Sequence, residues 1–565
     1  MFRYRRRYGL GIACLAAATG LSLGIPWMVK SAIDAMGRDG GAAIPRYVLI
    51  IILLAAAHGL ARMGSRFAMV GAGQWVEHDV RADLHAHLLT MPPAFYHDHR
   101  VGDLMSRASS DIAAVRQLAG FGIVMLAGTS LTFLGTIAAM WMIDPWLTVF
   151  ALGPFPLLVL VARRFNHDVE ERATAVQEQL GALSAKLQEN LAGMTVVRAY
   201  TMEAREIADF GRLNAEYLQK SLRLARVQAV SFPLMGFVSG LGGLIVLWLG
   251  GKAVVDQRIT LGAFVAFNGY LAHLAWPTIA LGWTLASLKR GLASMQRIAY
   301  VLDTPPPMDV ADDGEQRVPA GAIEFRRLTF AYGDRGPVLS DVSFQVPEGG
   351  LVAVVGPTGS GKSTLGLVLC RLFEPPRGTV FVGGVDVRDL PRGRLRRSVG
   401  YVPQEAFLFS RTLRDNVLLG GFEPDRLLAA AAAAGLGEEV ESFPQGWDTV
   451  VGERGLTLSG GQRQRAALAR ALAGEPPYLV LDDVLASVDA TKEWEILRSL
   501  RAAVSGRTTL LVTHRLRAAQ EADAIVVLDD GRVVERGLHP ELLALGGVYA
   551  RLWRVQQLED ELANA

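Results

Sequence analysis

Cysteine is nearly absent: Cys14 and Cys370 are the only two in 565 residues. A single distant pair provides no disulfide framework, so the folded portion is expected in the reducing cytosol. Charge is also scarce, at 20% Asp, Glu, Lys and Arg against 51% hydrophobic residues. That balance is greasier than a soluble domain tolerates, and part of the chain should lie in lipid. Neither sign of charge prevails, with 57 basic and 55 acidic residues and a net charge of +2. No global field marks a nucleic-acid binder, and no nucleic-acid partner is expected. Long apolar runs are missing altogether beyond Arg290, so membrane and aqueous parts should be separate domains.

The apolar runs all lie in the first half. Arg3, Arg5, Arg6 and Arg7 followed by LGIACLAAATG have the look of a secretory signal, but the apolar stretch continues from Leu10 to Val29. About 20 residues suffice to cross a bilayer, so it reads as a retained first span. Further runs near 47–70, 118–143, 145–162, 228–250 and 261–288 bring the expectation to six spans. The Arg-rich amino terminus belongs inside, which makes 37–46, 144–145 and 251–260 short outer loops. The inner connections, 71–117 and 163–227, are long, polar and periodic, as helices continuing into the cytosol would be.

The stretch DTPPPMDVADDGEQRVPAG, from Asp303, breaks every periodicity and reads as a linker over 303–320 between a membrane domain (1–302) and a second domain (321–565). In that second domain IEFRRLTF, LVAVVG, YLVLDD and TLLVTH are short strands interleaved with helical patterns. The fold class is therefore an α-helical six-span membrane domain joined to an α/β domain.

GPTGSGKST, comprising Gly356, Pro357, Thr358, Gly359, Ser360, Gly361, Lys362, Ser363 and Thr364, follows an apolar strand and precedes a helix. Glycines let backbone amides approach phosphate oxygens, the helix terminus adds its dipole, Lys362 reaches the outer phosphates, and Ser363 is a ligand for Mg²⁺. A nucleotide with Mg²⁺ needs a carboxylate at a neighbouring strand end, and LVLDDVLASVD offers two, Asp482 and Asp483. Strand alternation should turn them to different tasks, one to the metal and one to the attacking water. LTLSGGQRQRAALARAL supplies a second anion-binding helix end, with Ser459 as cap, Gly460 and Gly461 opening the helix, and Gln462 beside them. Two such ends and one phosphate loop suggest a site completed by another copy or a partner.

These motifs resemble those of the ATP-binding cassette (ABC) transporters, and more closely the exporters in which one chain fuses six membrane helices to one nucleotide domain. The resemblance covers nearly the whole chain. It implies a P-loop nucleotide domain with a helical subdomain, ATP and Mg²⁺ as ligands, ATPase activity coupled to transport of a small molecule, lipid or peptide, and a multi-pass location in a bacterial inner membrane with the nucleotide domain in the cytoplasm. It also implies roles: Tyr332 stacking on adenine, Gln404 coupling Mg²⁺ to the membrane domain, Leu458–Gln462 clasping the opposing subunit's nucleotide, Asp489 crossing the dimer interface, and His514 sensing the γ-phosphate. VVGERG, Val450 to Gly455, resembles a segment of exporters rather than importers, and 95–111 and 189–207 resemble coupling segments.

One position departs from the family pattern, which ordinarily places Glu after the metal-binding Asp; here it is Asp483. A carboxylate drawn back by roughly 1 Å costs on the order of 100-fold in rate. The pattern resembles the impaired half of a heterodimeric exporter, with a second half-transporter carrying Glu as partner. A homodimer with two slow sites, or an ATP-gated regulatory subunit or channel, are the alternatives. Among weaker signals, His85, His87, His97 and His99 read as a polar face rather than a metal site, because i, i+2 pairs diverge on a helix. His58, Arg62 and Arg66 share one face of the second span, either snorkelling at the inner interface or walling a cationic cavity. Trp276 and Pro277 should kink the sixth span.

Overall fold

The structure is a computed structural model and describes residues 2–39, 44–310, 318–333, 336–452, 455, 458–484, 501 and 504–564. Contacts divide it into two compact units, Met1–Leu89 with Arg100–Pro305, and Thr90–His99 with Pro306–Ala565.

The first unit is helical: α1 (Arg5–Asp39), α2 (Ile44–Thr90), α4 (Val101–Ile143), α5 (Pro145–Ala192), α6 (Met194–Ala199), α7 (Glu203–Val255) and α8 (Leu261–Asp303), while the short α3 (Pro93–Asp98) belongs to the second unit. Among the described residues five helices, α1, α2, α4, α5 and α7, are long and apolar enough to cross a membrane. The sixth expected span lies in α8, where the apolar described portion is the shorter stretch Leu261–Leu274. Pro277 sits inside α8 without ending it. The third outer loop is tighter than 251–260, because helix continues to Val255.

Helices α2 and α4 approach closely at two glycines: a Cβ on Gly73 would lie 2.9 Å from the Gly120 Cα. Gly120 belongs to a π-helical segment, Leu118–Gly122, one of two that interrupt α4. Toward the inner end, Asp111 is buried and accepts from Ser294 Oγ at 2.9 Å and Arg297 Nε at 2.8 Å, tying α4 to α8. The polar extensions of α5 and α7 pair through Gln179, whose Nε2 donates to Leu213 O at 3.1 Å and whose Oε1 accepts from Lys220 at 2.8 Å. Of the four clustered histidines, His87 bonds Thr304 O and His99 bonds Phe95 O, each a contact to backbone.

The second unit holds two sheets. Strands β1 (Ile323–Ala331), β2 (Pro337–Val346), β4 (Val380–Val382) and β5 (Val385–Asp386) form an antiparallel sheet in the order β2-β1-β4-β5. Strands β3 (Leu351–Val355), β6 (Val399–Val402), β7 (Tyr478–Asp482), β8 (Thr508–Val512), β9 (Ala524–Asp529) and β10 (Arg532–Gly537) form the other, in the order β10-β9-β3-β8-β7-β6. The five members other than β10 run parallel, and they are mostly apolar because both faces are covered. Val352 and Val354 face helix α9 (Lys362–Leu369) and the antiparallel sheet, whereas Ala353 and Val355 face the opposite layer with Leu516 and Tyr549. A helical subdomain of α10 (Leu413–Val417), α11 (Arg426–Ala433) and α12 (Gly460–Ala473) shares its core with Leu479, Leu481 and Leu511.

Candidate functional site

The carboxyl ends of β3, β7 and β8 open onto one cavity of about 470 Å³, where ligands of parallel α/β sheets are held. The loop 356–361 leaves β3 and feeds α9, and its glycines are there for conformational reasons. Gly356 has φ +153, and a Cβ on it would meet Leu528 O at 1.9 Å; Gly361 has φ +93 and lies against Val338 O. Only glycine lets the loop fold this tightly with its amides turned toward the cavity.

Lys362 opens α9 and is folded back on its own loop. Its Nζ donates to Gly356 O at 2.9 Å, Pro357 O at 2.7 Å and Ser360 Oγ at 3.3 Å. Burial holds the ammonium below the ordinary lysine range, against the pull of Asp483 and Asp482. Ser363 donates through Oγ to Asp482 Oδ1 at 3.1 Å, so two hard oxygen ligands converge, with Gln404 on the same cavity wall. Burial pushes the Asp482 carboxyl up, partly offset by the Ser363 hydrogen bond. A buried carboxylate raised by desolvation beside a hydroxyl oxygen suits a small divalent cation, and Ser363, Asp482 and Gln404 are the residues that would hold Mg²⁺.

The two adjacent carboxylates do separate, though not by strand alternation as expected. Strand β7 ends at Asp482; Asp483 follows with φ +53, its N–H donating to Val512 O at 2.8 Å. That left-handed turn keeps both acids on the cavity while giving them different partners. Asp483 Oδ2 lies 2.7 Å from His514 Nδ1, and this hydrogen bond holds His514 above the ordinary histidine range. Asp483 is only 4% exposed, and its other oxygen, Oδ1, is buried with no hydrogen-bond partner. A buried acceptor with nothing to accept costs about 1–3 kcal/mol, a strain that a bound donor would relieve.

Tyr332 is not among the cavity-lining residues. Its hydroxyl donates to Thr364 Oγ1 at 3.0 Å and its ring packs edge-on against Phe373, with centroids 4.9 Å apart. Ser459, Gly460, Gly461 and Gln462 are likewise away from this cavity, at the start of α12. Ser459 Oγ accepts from Gln462 N at 3.2 Å while Gln462 Oε1 accepts from Ser459 N at 2.9 Å, a reciprocal capping box. The Gly460 and Gly461 amides, in the first turn of α12, have no acceptor one turn back in the helix. Asp489 lies outside the described residues, as do Glu453 and Arg454 of the VVGERG segment.

Sequence reading missed Gln464, whose Nε2 donates to Asp483 O at 3.3 Å and so ties α12 to the turn that sets the acid. Its signal was position: four residues beyond Gly460, it shares the helix face of the opening glycine. Thr513, on the cavity wall beside His514, was also missed.

Residues 8–278 match the ABC transporter transmembrane region family, and residues 339–486 match the ABC transporter family. The probable multidrug resistance ABC transporter ATP-binding/permease protein YheI of Bacillus subtilis (strain 168) is 36% identical over 98% of this chain and 96% of its own. An ATP-dependent lipid A-core flippase of Syntrophus aciditrophicus (strain SB) is 33% identical over 99% of this chain and 93% of its own. Among solved structures, a bacterial Atm1-family ABC exporter with ATP bound aligns with a TM-score of 0.79 at 28% identity, covering 98% of this chain and 99% of that one.

Proposed function

The chain belongs to the ABC transporter family, as an exporter fusing a transmembrane domain to an ATPase domain, and we propose that its own ATP site binds nucleotide firmly but hydrolyses it slowly. The observation that carries this reading is Asp483, a carboxylate one methylene shorter than the family's usual Glu and engaged with His514 at 2.7 Å. In the proposed cycle the loop amides and Lys362 exchange their present acceptors for phosphate oxygens. Ser363, Asp482 and Gln404 hold Mg²⁺, which when bound neutralises charge on the outer phosphates. Asp483 Oδ1, the unpartnered acceptor, is where the attacking water donates, from a position set back by roughly 1 Å. His514 then donates toward the γ-phosphate. Ser459, Gly460 and Gly461 serve the nucleotide of the opposing subunit, closure of two nucleotide domains switches the membrane cavity, and hydrolysis resets it.

A slow site is useful if another works fast, so the reading extends to a heterodimer whose partner half-transporter carries Glu and borrows this chain's intact signature. The homodimer is the second reading. It is favoured by the phosphate loop, the capping box and His514, which are all complete in this chain. The names of the relatives, a multidrug transporter and lipid A-core flippases, support an amphipathic small molecule or lipid as cargo and a bacterial inner membrane as location. Affinity purification of the tagged chain from its own membranes tests the pairing. A second polypeptide of the same architecture, bearing Glu at the matching position, is expected; recovery of this chain alone points to the homodimer. ATP-dependent uptake into inside-out vesicles, absent from Lys362→Ala, tests pump against gate.

A further inference from the structure

Within the membrane unit α1, α2, α4 and α8 enclose a second cavity of about 430 Å³. Its charged lining is of one sign, Arg62 and Arg66, beside the imidazoles of His58 and His273 and hydroxyls from Thr19 and Thr132. No acidic residue occurs in 5–33, 44–76, 112–143 or 261–302, the helical stretches around it. The acids just beyond are already engaged. Glu77 pairs with Arg81 at 2.5 Å and Arg116 at 2.8 Å, Asp79 with Arg3 at 3.1 Å, and Asp111 with Arg297. Neither Arg62 nor Arg66 has a carboxylate partner among the described residues.

Snorkelling accounts for an arginine that faces lipid and water, but not for one that shares a cavity with two imidazoles and hydroxyls from other helices. His58 is fixed there, its Nδ1 2.8 Å from Ala18 O. That bond keeps a proton on Nδ1 and fixes the ring at the cavity wall. Cations gathered without a countercharge in a site of reduced dielectric concentrate a positive potential that only an incoming anion neutralises. The same two arginines also border an open face of about 760 Å³ along α2, where Met63 and Phe67 are exposed. Charge and apolar surface therefore adjoin on one helix.

We propose that this cavity binds an amphipathic organic anion. Its phosphate or carboxylate head meets Arg62 and Arg66, and its apolar part lies along Met63 and Phe67. Arginine suits such heads because its planar fork gives paired, charge-assisted hydrogen bonds. The proposal rests on the exporter reading only in taking the bound molecule to be cargo.

The test is equilibrium binding, without nucleotide, to the full chain in nanodiscs of phosphatidylcholine. The probes are a fluorescent fatty acid, its neutral methyl ester and a fluorescent quaternary ammonium of equal length. The fatty acid should bind roughly 10-fold or more tighter than the ester, as a charge-assisted contact requires. Arg62→Gln with Arg66→Gln should erase that preference and Arg62→Lys with Arg66→Lys should keep most of it, with ATP binding at the phosphate loop unchanged in both. Displacement by an alkyl phosphate or an alkyl carboxylate then tells which head the site takes. Equal binding of acid and ester, tighter binding of the cation, or an anion preference that survives the Gln pair overturns the proposal. Because ATP is absent, a failure here leaves the export reading standing, and a failure of export leaves the binding result standing.

Discussion

Lys362→Ala removes a cation placed to meet the outer phosphates, and the structure sets the scale of the loss. Nζ makes three hydrogen bonds, the shortest 2.7 Å to Pro357 O. Binding therefore trades loop carbonyls for phosphate oxygens rather than creating contacts from nothing. What remains is about one charge-assisted hydrogen bond, ~1.5–3 kcal/mol, which corresponds to roughly 10- to 150-fold weaker ATP binding. The assay is displacement of a fluorescent nucleotide from the purified full chain by ATP, ADP and AMP. ATP and ADP should weaken together while AMP, which lacks the outer phosphates, stays within about twofold. Unchanged ATP affinity would refute the role given to Lys362. An equal loss for AMP would show that the substitution collapses the loop instead of removing a phosphate contact.

Ser459→Arg should abolish steady-state ATPase of the assembled dimer while nucleotide binding at this chain's own loop persists. Losing the cap costs only about 1 kcal/mol, so full turnover in the variant would rule out a cross-subunit role for α12. The Asp483–His514 pair has a pH signature. Because Asp483 raises the His514 pKa in the folded chain, the pair's stabilisation is whole below the ordinary histidine range and fades as pH rises through the raised value. Exchange of the His514 ring C2 hydrogen, followed by mass spectrometry across pH, should place its midpoint above that of an exposed histidine and return it toward the ordinary range in Asp483→Asn. A midpoint that does not move on that substitution would exclude the pairing.

The site was legible where chemistry is written as spacing. A glycine pattern between an apolar strand and a helix has few meanings, and parallel strands ending at a common edge bring Lys362, Ser363, Gln404, Asp482, Asp483 and His514 to one cavity although more than 100 positions separate the first from the last. Conformation was not legible. Nothing in the residue type of Asp483 announces a φ of +53, and that angle, not strand alternation, is what separates the two acids. The hydrogen bond from the Tyr332 hydroxyl to Thr364 and the edge-on contact of its ring with Phe373 could likewise not be read from spacing. The π segment Leu118–Gly122 was equally hidden, and it carries Gly120, where α4 meets Gly73 of α2. For Arg62 and Arg66 spacing supplied the shared face, and only the neighbouring helices show that the face borders a cavity.

The central claim, that Asp483 is too short to position the attacking water, is tested most directly by single-turnover ATP hydrolysis in Asp483→Glu. If the chain pairs with a second half-transporter, the partner's catalytic carboxylate is first removed so that only this site acts. The added methylene should raise the hydrolytic rate by on the order of 10- to 100-fold, with ATP affinity nearly unchanged because the phosphate loop does the binding. A rate equal to that of the Asp483 form, with nucleotide demonstrably bound, would contradict the account.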